Sequence, residues 1–313
     1  MAGSFALVAG ATLAAVSFAV GCSASNGISR GGTGGSSNSS NSSNSSSSNS
    51  SNSSNSSNSG SGGSIFVNTD GGSSGQDGGT SGDACAPNLT GRLRDFVNKP
   101  GFTPASALDD DFENVIGDDR GIVATDLDSS SKPVYAHPGG TTPTTHGQTQ
   151  FDWWYRDTPG TNIPYDYPIL LTPIGGGVSS FNDQEFFPLD GRGWNDEYTA
   201  DDGNLHNFSF TFELHTTFEY MGGETFTFIG DDDVFVFINN KLVVDLGGVH
   251  GAETKAITLD TLVTDDAAMT PVQLTKGTTY PLDIFYNERH TVSSHFRMDT
   301  SITFNNCTPI IIQ

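Results

Sequence analysis

Between Asn207 and Leu214 every second residue is apolar, so Phe208, Phe210, Phe212 and Leu214 share one face of an extended chain. The same alternation returns in Thr225–Ile229, where Phe226 and Phe228 stand together, and in Tyr280, Leu282, Ile284 and Tyr286. It returns again in Phe296, Met298, Thr300, Ile302 and Phe304. Val234–Ile238 is apolar on both faces, the pattern of a strand covered from two sides. Leu242-Val243-Val244 follows across Asn239-Asn240-Lys241, and asparagines tolerate the positive φ of a tight hairpin. No segment shows sustained helical periodicity. Short strands separated by Gly, Asn and Asp turns predict an all-β chain folded as an antiparallel β-sandwich. Within that scheme Phe151-Asp152-Trp153-Trp154-Tyr155 reads as a core strand with Trp153 and Tyr155 on one face. The alternative is an exposed aromatic platform on which sugar rings stack.

The pattern does not cover the whole chain. Residues 1–22 hold a short apolar run, Phe5 to Val20, of signal-peptide rather than membrane-span length. The run ends in Ala19-Val20-Gly21-Cys22, which resembles a bacterial lipobox with Cys22 as the lipidated residue; cleavage of an ordinary signal near Ala24 is the alternative. Residues 23–84 are rich in Ser, Asn and Gly, with an Asn-Ser-Ser repeat from Asn38 to Asn58. A stretch with so little to bury predicts a disordered tether. About 50 such residues would span roughly 40 Å. Residues 85–307 are left as one folded domain, and the chain reads as an exported protein held at the cell surface, with an outer-membrane lipid anchor through Cys22, or secreted.

Charge narrows the partners. The chain carries 36 acidic and 13 basic side chains, a formal net charge of −23. Nucleic acid needs clustered Lys and Arg and is excluded as a partner. Divalent cations and neutral ligands such as sugars remain. The three cysteines are Cys22, Cys85 and Cys307. An odd count in an exported chain is met most simply if Cys22 is modified and Cys85 pairs with Cys307; two free thiols are the alternative.

The candidate chemistry sits in Gly230-Asp231-Asp232-Asp233, directly before the apolar strand. Adjacent carboxylates repel by about 1 kcal/mol per pair in water and up to about 4 kcal/mol at an effective dielectric of 20. A hard cation with oxygen ligands relieves that repulsion. A solvated acidic turn is the bland reading, since Asp is a common turn former.

Several motifs carry a resemblance. Phe187-Pro188-Leu189-Asp190-Gly191-Arg192-Gly193-Trp194, His206-Asn207-Phe208, GDDDVFVFINNKLVVDLGGVH from Gly230 to His250, and Phe285-Tyr286-Asn287-Glu288-Arg289-His290 with Ser294-His295-Phe296 resemble the fibro-slime domain. Arg94-Asp95-Phe96, Asp111-Phe112-Glu113 and Lys132-Pro133-Val134-Tyr135 fit its N-terminal half. The domain is similar to the wider protective-antigen-type, jelly-roll-like β-sandwich of flocculin lectins. That resemblance implies Ca²⁺ as cofactor, held by two consecutive aspartates joined by a cis peptide and by a late-loop asparagine, with sugar hydroxyls on the ion. Carried onto this chain, the metal residues are Asp231, Asp232 and Asn287, with Asp233 and Glu288 beside them. Trp194, His250, Arg289 and His290 are candidate ligand contacts.

The implied function is an adhesin-type module that binds polysaccharide with Ca²⁺; the alternative is a structural component of a matrix or slime. Glycoside hydrolysis needs two paired carboxylates, which so acidic a chain can supply by chance, and no Gly-x-Ser-x-Gly nucleophile motif is present, so the chain is read as not an enzyme. His250, His290 and His295 show no standard zinc spacing, and His250 reads as a cap on the Gly247-Gly248 turn.

Overall fold

The computed structural model of the chain describes residues 88–98, 109–112 and 115–305. The signal segment, the tether, Cys22, Cys85 and Cys307 lie outside the described residues. Among the described residues no helix is long and apolar enough to cross a membrane.

In chain order the elements begin with strands β1 (Asn88–Asp95) and β2 (Gly117–Asp118), helix α1 (Gln148–Trp154), and strands β3 (Ile163–Leu170), β4 (Thr172–Gly175) and β5 (Val178–Asp183). They continue with β6 (Glu197–Thr199), β7 (Leu205–Asn207), β8 (Phe210–Tyr220), β9 (Thr225–Gly230), β10 (Asp233–Ile238), β11 (Lys241–Leu246) and β12 (Gly248–Val249). Strands β13 (Glu253–Thr258), β14 (Thr278–Glu288) and β15 (Phe296–Thr300) close the fold. One sheet has six strands in the order β11-β10-β14-β8-β1-β3, and a second has five in the order β13-β9-β15-β5-β4. All their pairings are antiparallel. The molecule is an antiparallel β-sandwich, as the alternating strands predict.

The predicted faces meet between the sheets. Phe210, Phe212 and Leu214 of β8 pack with Phe226 and Phe228 of β9, Leu282, Ile284 and Tyr286 of β14, and Phe296 and Met298 of β15. Each fully buried phenylalanine contributes about 1.5–3 kcal/mol. The double-sided β10 divides by parity. Val234, Val236 and Ile238 enter this inner core, while Phe235 and Phe237 point to a second one. The hairpin between β10 and β11 turns at Asn239 and Asn240, with φ of 53° and 59°.

The second core is where structure and sequence pattern part. Phe96, Phe112, Ile122, Val123, Tyr135, Phe151, Trp154 and Tyr155 cover the outer face of the six-stranded sheet against Phe235, Phe237, Leu242 and Phe285. The aromatic run is therefore core, but not extended. Residues Gln148–Trp154 are helical, and Phe151, Trp154 and Tyr155 fall at helical spacing, three and four apart. Burial of those rings removes the stacking-platform reading; only Trp153 of the run's two tryptophans stays partly exposed.

Charged groups are buried beneath the same cover. Lys132 Nζ donates to both carboxylate oxygens of Glu213, each at 2.7 Å, and Arg94 Nη2 donates to Glu213 Oε1 at 2.9 Å. His215 Nδ1 lies 2.7 Å from Asp283 Oδ1. Lys132 comes from a covering loop and Glu213 from β8, so the network pins one layer to the other.

Candidate functional site

β9 ends at Gly230 in one sheet and β10 begins at Asp233 in the other, so Asp231 and Asp232 bridge the sandwich at its rim. The peptide bond between them is cis. Asp231 accepts the His295 backbone N–H at Oδ1 (2.6 Å), and its Oδ2 is 2.8 Å from His295 Nδ1. Asp232 accepts the His250 backbone N–H at Oδ1 (3.0 Å) and the Arg289 backbone N–H at Oδ2 (2.9 Å). Each oxygen keeps a second lone pair. Both residues line a cavity of about 190 Å³, shared with Ile116, Val249, His250 and Val292 among others. His290 also lines it.

Burial, only partly offset by His295, holds the Asp231 carboxyl above the usual carboxylate range. Burial pushes Asp232 well above it, against the pull of Arg289, and repulsion from Asp233 and Asp231 adds to the rise. Glu288 is fully buried, and one of its carboxylate oxygens, Oε1, has no hydrogen-bond partner. Desolvation, then the charges of Asp232 and Asp231, push its carboxyl well up. The rim thus concentrates carboxyl groups whose burial outweighs the pull of Arg289 and His295.

The other predicted metal residues serve a different purpose. Asp233 forms a fully buried pair with Arg289 and accepts Gly248 N–H at 2.7 Å. Asn287, opposite Asp233 in the β10–β14 register, donates to Asp233 Oδ2 at 3.2 Å and accepts the Tyr155 hydroxyl at 2.6 Å. Neither Asp233, Asn287 nor Glu288 lines the cavity. The expectation that Asp233 and Asn287 complete the acidic pair is corrected: their side-chain bonds go to Arg289, Tyr155 and one another. Arg289 is corrected as well, because a wholly buried guanidinium bonded to Asp233, Asp111 O and Thr144 O is not a ligand contact. Trp194 does not line the cavity; its backbone N–H donates to Asp95 Oδ2 at 2.5 Å.

His250 and His290 do reach it. His250 holds Asp232 by its backbone, and its ring Nε2 lies 3.2 Å from Leu246 O. Sequence reasoning missed His295, which positions Asp231, and the apolar wall of Ile116, Val249 and Val292. His295 was legible as part of the Ser294-His295-Phe296 motif and as a histidine without zinc spacing, not as a partner of Asp231, and Ile116 carries no local signal. Among the described residues, Asp118, His250 and Glu253 form a set of His, Cys, Asp or Glu side chains with one possible ligand atom each within 4.8 Å of the others.

Residues 187–309 match the family model of the PA14 domain. That stretch contains Asp231, Asp232, Glu288 and His295 and excludes the segment that builds most of the second core. Protein psiR of Dictyostelium discoideum is 39% identical over 212 residues, a match covering 64% of this chain and 20% of psiR. Protein psiQ of the same organism is 39% identical over 210 residues, covering 64% of this chain and 20% of psiQ. The chain thus spans about a fifth of the length of these curated relatives. Among solved structures it is similar to a PA14 sugar-binding domain from an RTX adhesin, with 13% identity, a TM-score of 0.23, and coverage of 41% of this chain and 76% of that one.

Proposed function

We propose that the protein is a non-catalytic, adhesin-type module that binds carbohydrate in the cavity at Asp231 and Asp232 with the help of Ca²⁺. The observation that carries this reading is the cavity's mixed lining. Asp231, Asp232, His250 and His290 share it with Ile116, Val249 and Val292. A sugar ring has the matching division, with hydroxyls on its edges and C–H groups on its faces. The PA14 match over residues 187–309 supports the same class.

The residues fit a hard cation. The donors facing the cavity include two carboxylates with spare lone pairs, and behind them Glu288 keeps a buried, unpartnered oxygen. Arg289 favours the charged form of Asp232 from nearby, but its side-chain bonds go to Asp233 rather than to the pair. Asp231 and Asp232 would hold the ion, with backbone oxygens, water and ligand hydroxyls filling a shell of 6–8 oxygens, as is typical of Ca²⁺. When bound, Ca²⁺ supplies positive charge at the cavity wall and a coordination point for hydroxyl pairs. The chain's own residues orient the two carboxylates through His295, His250 and Arg289 and keep the apolar wall in place.

The motifs that resemble those of fibro-slime domains support placing the module on an extracellular surface, tethered by residues 23–84 and anchored at Cys22. Mass spectrometry of the mature N-terminus tests that part separately.

The test of function is a glycan array probed with the full chain in Ca²⁺ and in EDTA. Calcium-dependent retention of a glycan class, lost in Asp231→Ala and Asp232→Ala, supports the proposal. Retention equal in EDTA removes the cation. Concentration-dependent self-association with no glycan retained favours a matrix component instead.

A further inference from the structure

Asp118, His250 and Glu253 come from three separate elements: β2, the turn after β12, and β13. β2 pairs with β12 so that Asp118 stands opposite Gly248, two residues before His250. β13 pairs with β9 so that Glu253 stands opposite Gly230. The fold thereby brings one ligand atom from each of the three side chains to within 4.8 Å of the others.

The imidazole is under-satisfied where it stands. Nδ1 lies 3.0 Å from Gly251 O and Nε2 lies 3.2 Å from Leu246 O. A neutral imidazole has a single N–H, so only one of these contacts can be donated. The other nitrogen turns a lone pair toward a carbonyl oxygen, an arrangement that a bound cation converts from repulsive to favourable. The Asp118 carboxylate has no side-chain hydrogen bond or ion pair among the described residues. Glu253 is held at Oε2 by Arg120, which also donates to the Asp245 carbonyl, leaving Oε1 to point elsewhere. An outer-shell partner that orients a ligating carboxylate is a regular part of metal sites.

From this geometry we propose that Asp118, His250 and Glu253 form a second cation site, selective for a divalent transition metal of the zinc type. One imidazole nitrogen and two carboxylate oxygens make a three-ligand set with a position left for water. The nitrogen donor separates it in kind from the pair at Asp231 and Asp232, because Ca²⁺ and Mg²⁺ take oxygen ligands while imidazole suits zinc, nickel and copper. The two sites meet at His250, whose backbone N–H holds Asp232 and whose ring belongs to the second set. A metal on the ring would stiffen the wall of the first cavity without filling it.

The probe is the metal alone, with no sugar present. Zn²⁺ and Ca²⁺ are titrated separately into the full chain by calorimetry, and then into Asp118→Asn and Glu253→Gln. Each substitution is expected to weaken Zn²⁺ binding by about tenfold or more and to leave the Ca²⁺ response unchanged. No Zn²⁺ uptake by the unmodified chain, or uptake indifferent to both substitutions, overturns the site. Far-UV circular dichroism and the metal-free melting temperature show whether each variant is folded. If either is not, anomalous scattering at the zinc edge from zinc-soaked crystals of the unmodified chain decides. A peak between Asp118, His250 and Glu253 supports the site, and a peak elsewhere or none overturns it. Because no glycan enters the experiment, its outcome is separate from that of the carbohydrate reading.

Discussion

The Asp233 carboxylate meets the Arg289 guanidinium side-on, Oδ2 2.6 Å from Nε and Oδ1 3.0 Å from Nη2, and neither side chain is exposed. The same guanidinium donates to Thr144 O at 2.7 Å and Asp111 O at 3.0 Å, and its centre lies 4.8 Å from the Trp154 ring centroid. One side chain therefore ties β10, the end of β14 and the covering layer together. Arg289→Met strands Asp233 without a counter-charge, and breaking one partner of a buried pair costs about 3–5 kcal/mol. Urea denaturation should show a loss of that size. Asp233→Leu combined with Arg289→Met should recover part of it, because the stranded charge is gone.

Stability should be greatest in mild acid. Asp95 is pushed up to about 7, chiefly by burial, against hydrogen bonds from Trp194 and Asn207. Burial likewise lifts Asp245 to about 6. His215 is buried, which alone would lower it, but its bond to Asp283 and the nearby Glu213 carboxylate, 3.7 Å away, raise it above 6.5. For all three the folded state holds its proton more tightly, so their contributions are present at low pH and are lost as pH rises through the folded values. Glu213 has the opposite sign. Burial works against its charge, yet Arg94, His215 and Lys132 hold it down at about 2. Its contribution is full above 4.5 and disappears as pH falls toward 2. The urea midpoint should accordingly be highest at about pH 4–5 and decline on both sides. His215→Gln should flatten the part of the decline above 6.5; an unchanged alkaline limb would show that the His215 cluster does not set it.

How much of this was legible in the residues depends on how local the cause is. Alternation in Phe210–Leu214, Phe226–Phe228 and Tyr280–Tyr286 is written within one strand, and so the inner core could be read directly; Phe208, read as part of the same face, precedes β8 and packs on Phe187 outside that core. The double-sided β10 was legible as buried, but what covers its Phe235 and Phe237 was not. The cover is built from short pieces closed by distant partners, such as Lys132 on Glu213 and Arg289 on Thr144. A helix of seven residues is too short to display a period, although Phe151, Trp154 and Tyr155 were spaced for one. The acidic loop was legible as a candidate site, and two of its carboxylates do face a cavity. What could not be read was the division within it. Asp231 and Asp232 keep spare lone pairs, while Asp233 is claimed by an arginine that only sheet pairing brings near.

The β10–β11 hairpin offers a gain rather than a loss. Asn239 and Asn240 both adopt left-handed backbone, the demand of a two-residue turn whose preferred sequence is Asn-Gly. Asn240→Gly removes the steric cost at φ 59° and should stabilise the hairpin by a few tenths to about 1 kcal/mol. Asn240→Val places a β-branched side chain in that region and should cost about 1–2 kcal/mol. Melting temperatures shifting in opposite directions would bear this out, and equal shifts would argue that the turn is not under local conformational control.

Gly230 tests the link between packing and the cavity. A Cβ there would come within 2.6 Å of His295 O and 2.6 Å of the Phe228 ring, so β15's approach must give way. His295 is the residue whose backbone N–H and ring hold Asp231. Gly230→Ala should therefore do two things together. Overpacking should lower stability by about 1–3 kcal/mol, and displacement of His295 should weaken the rise in melting temperature on adding Ca²⁺ that the proposed cation site predicts. Gly251 also lines the cavity, but a Cβ there meets nothing within 4 Å. Gly251→Ala should change stability by less than about 0.5 kcal/mol. If Gly230→Ala loses stability yet keeps the full Ca²⁺ shift, His295 is not what positions Asp231 for the ion, and the carboxylate pair is held by Asp232's bonds to His250 and Arg289 alone.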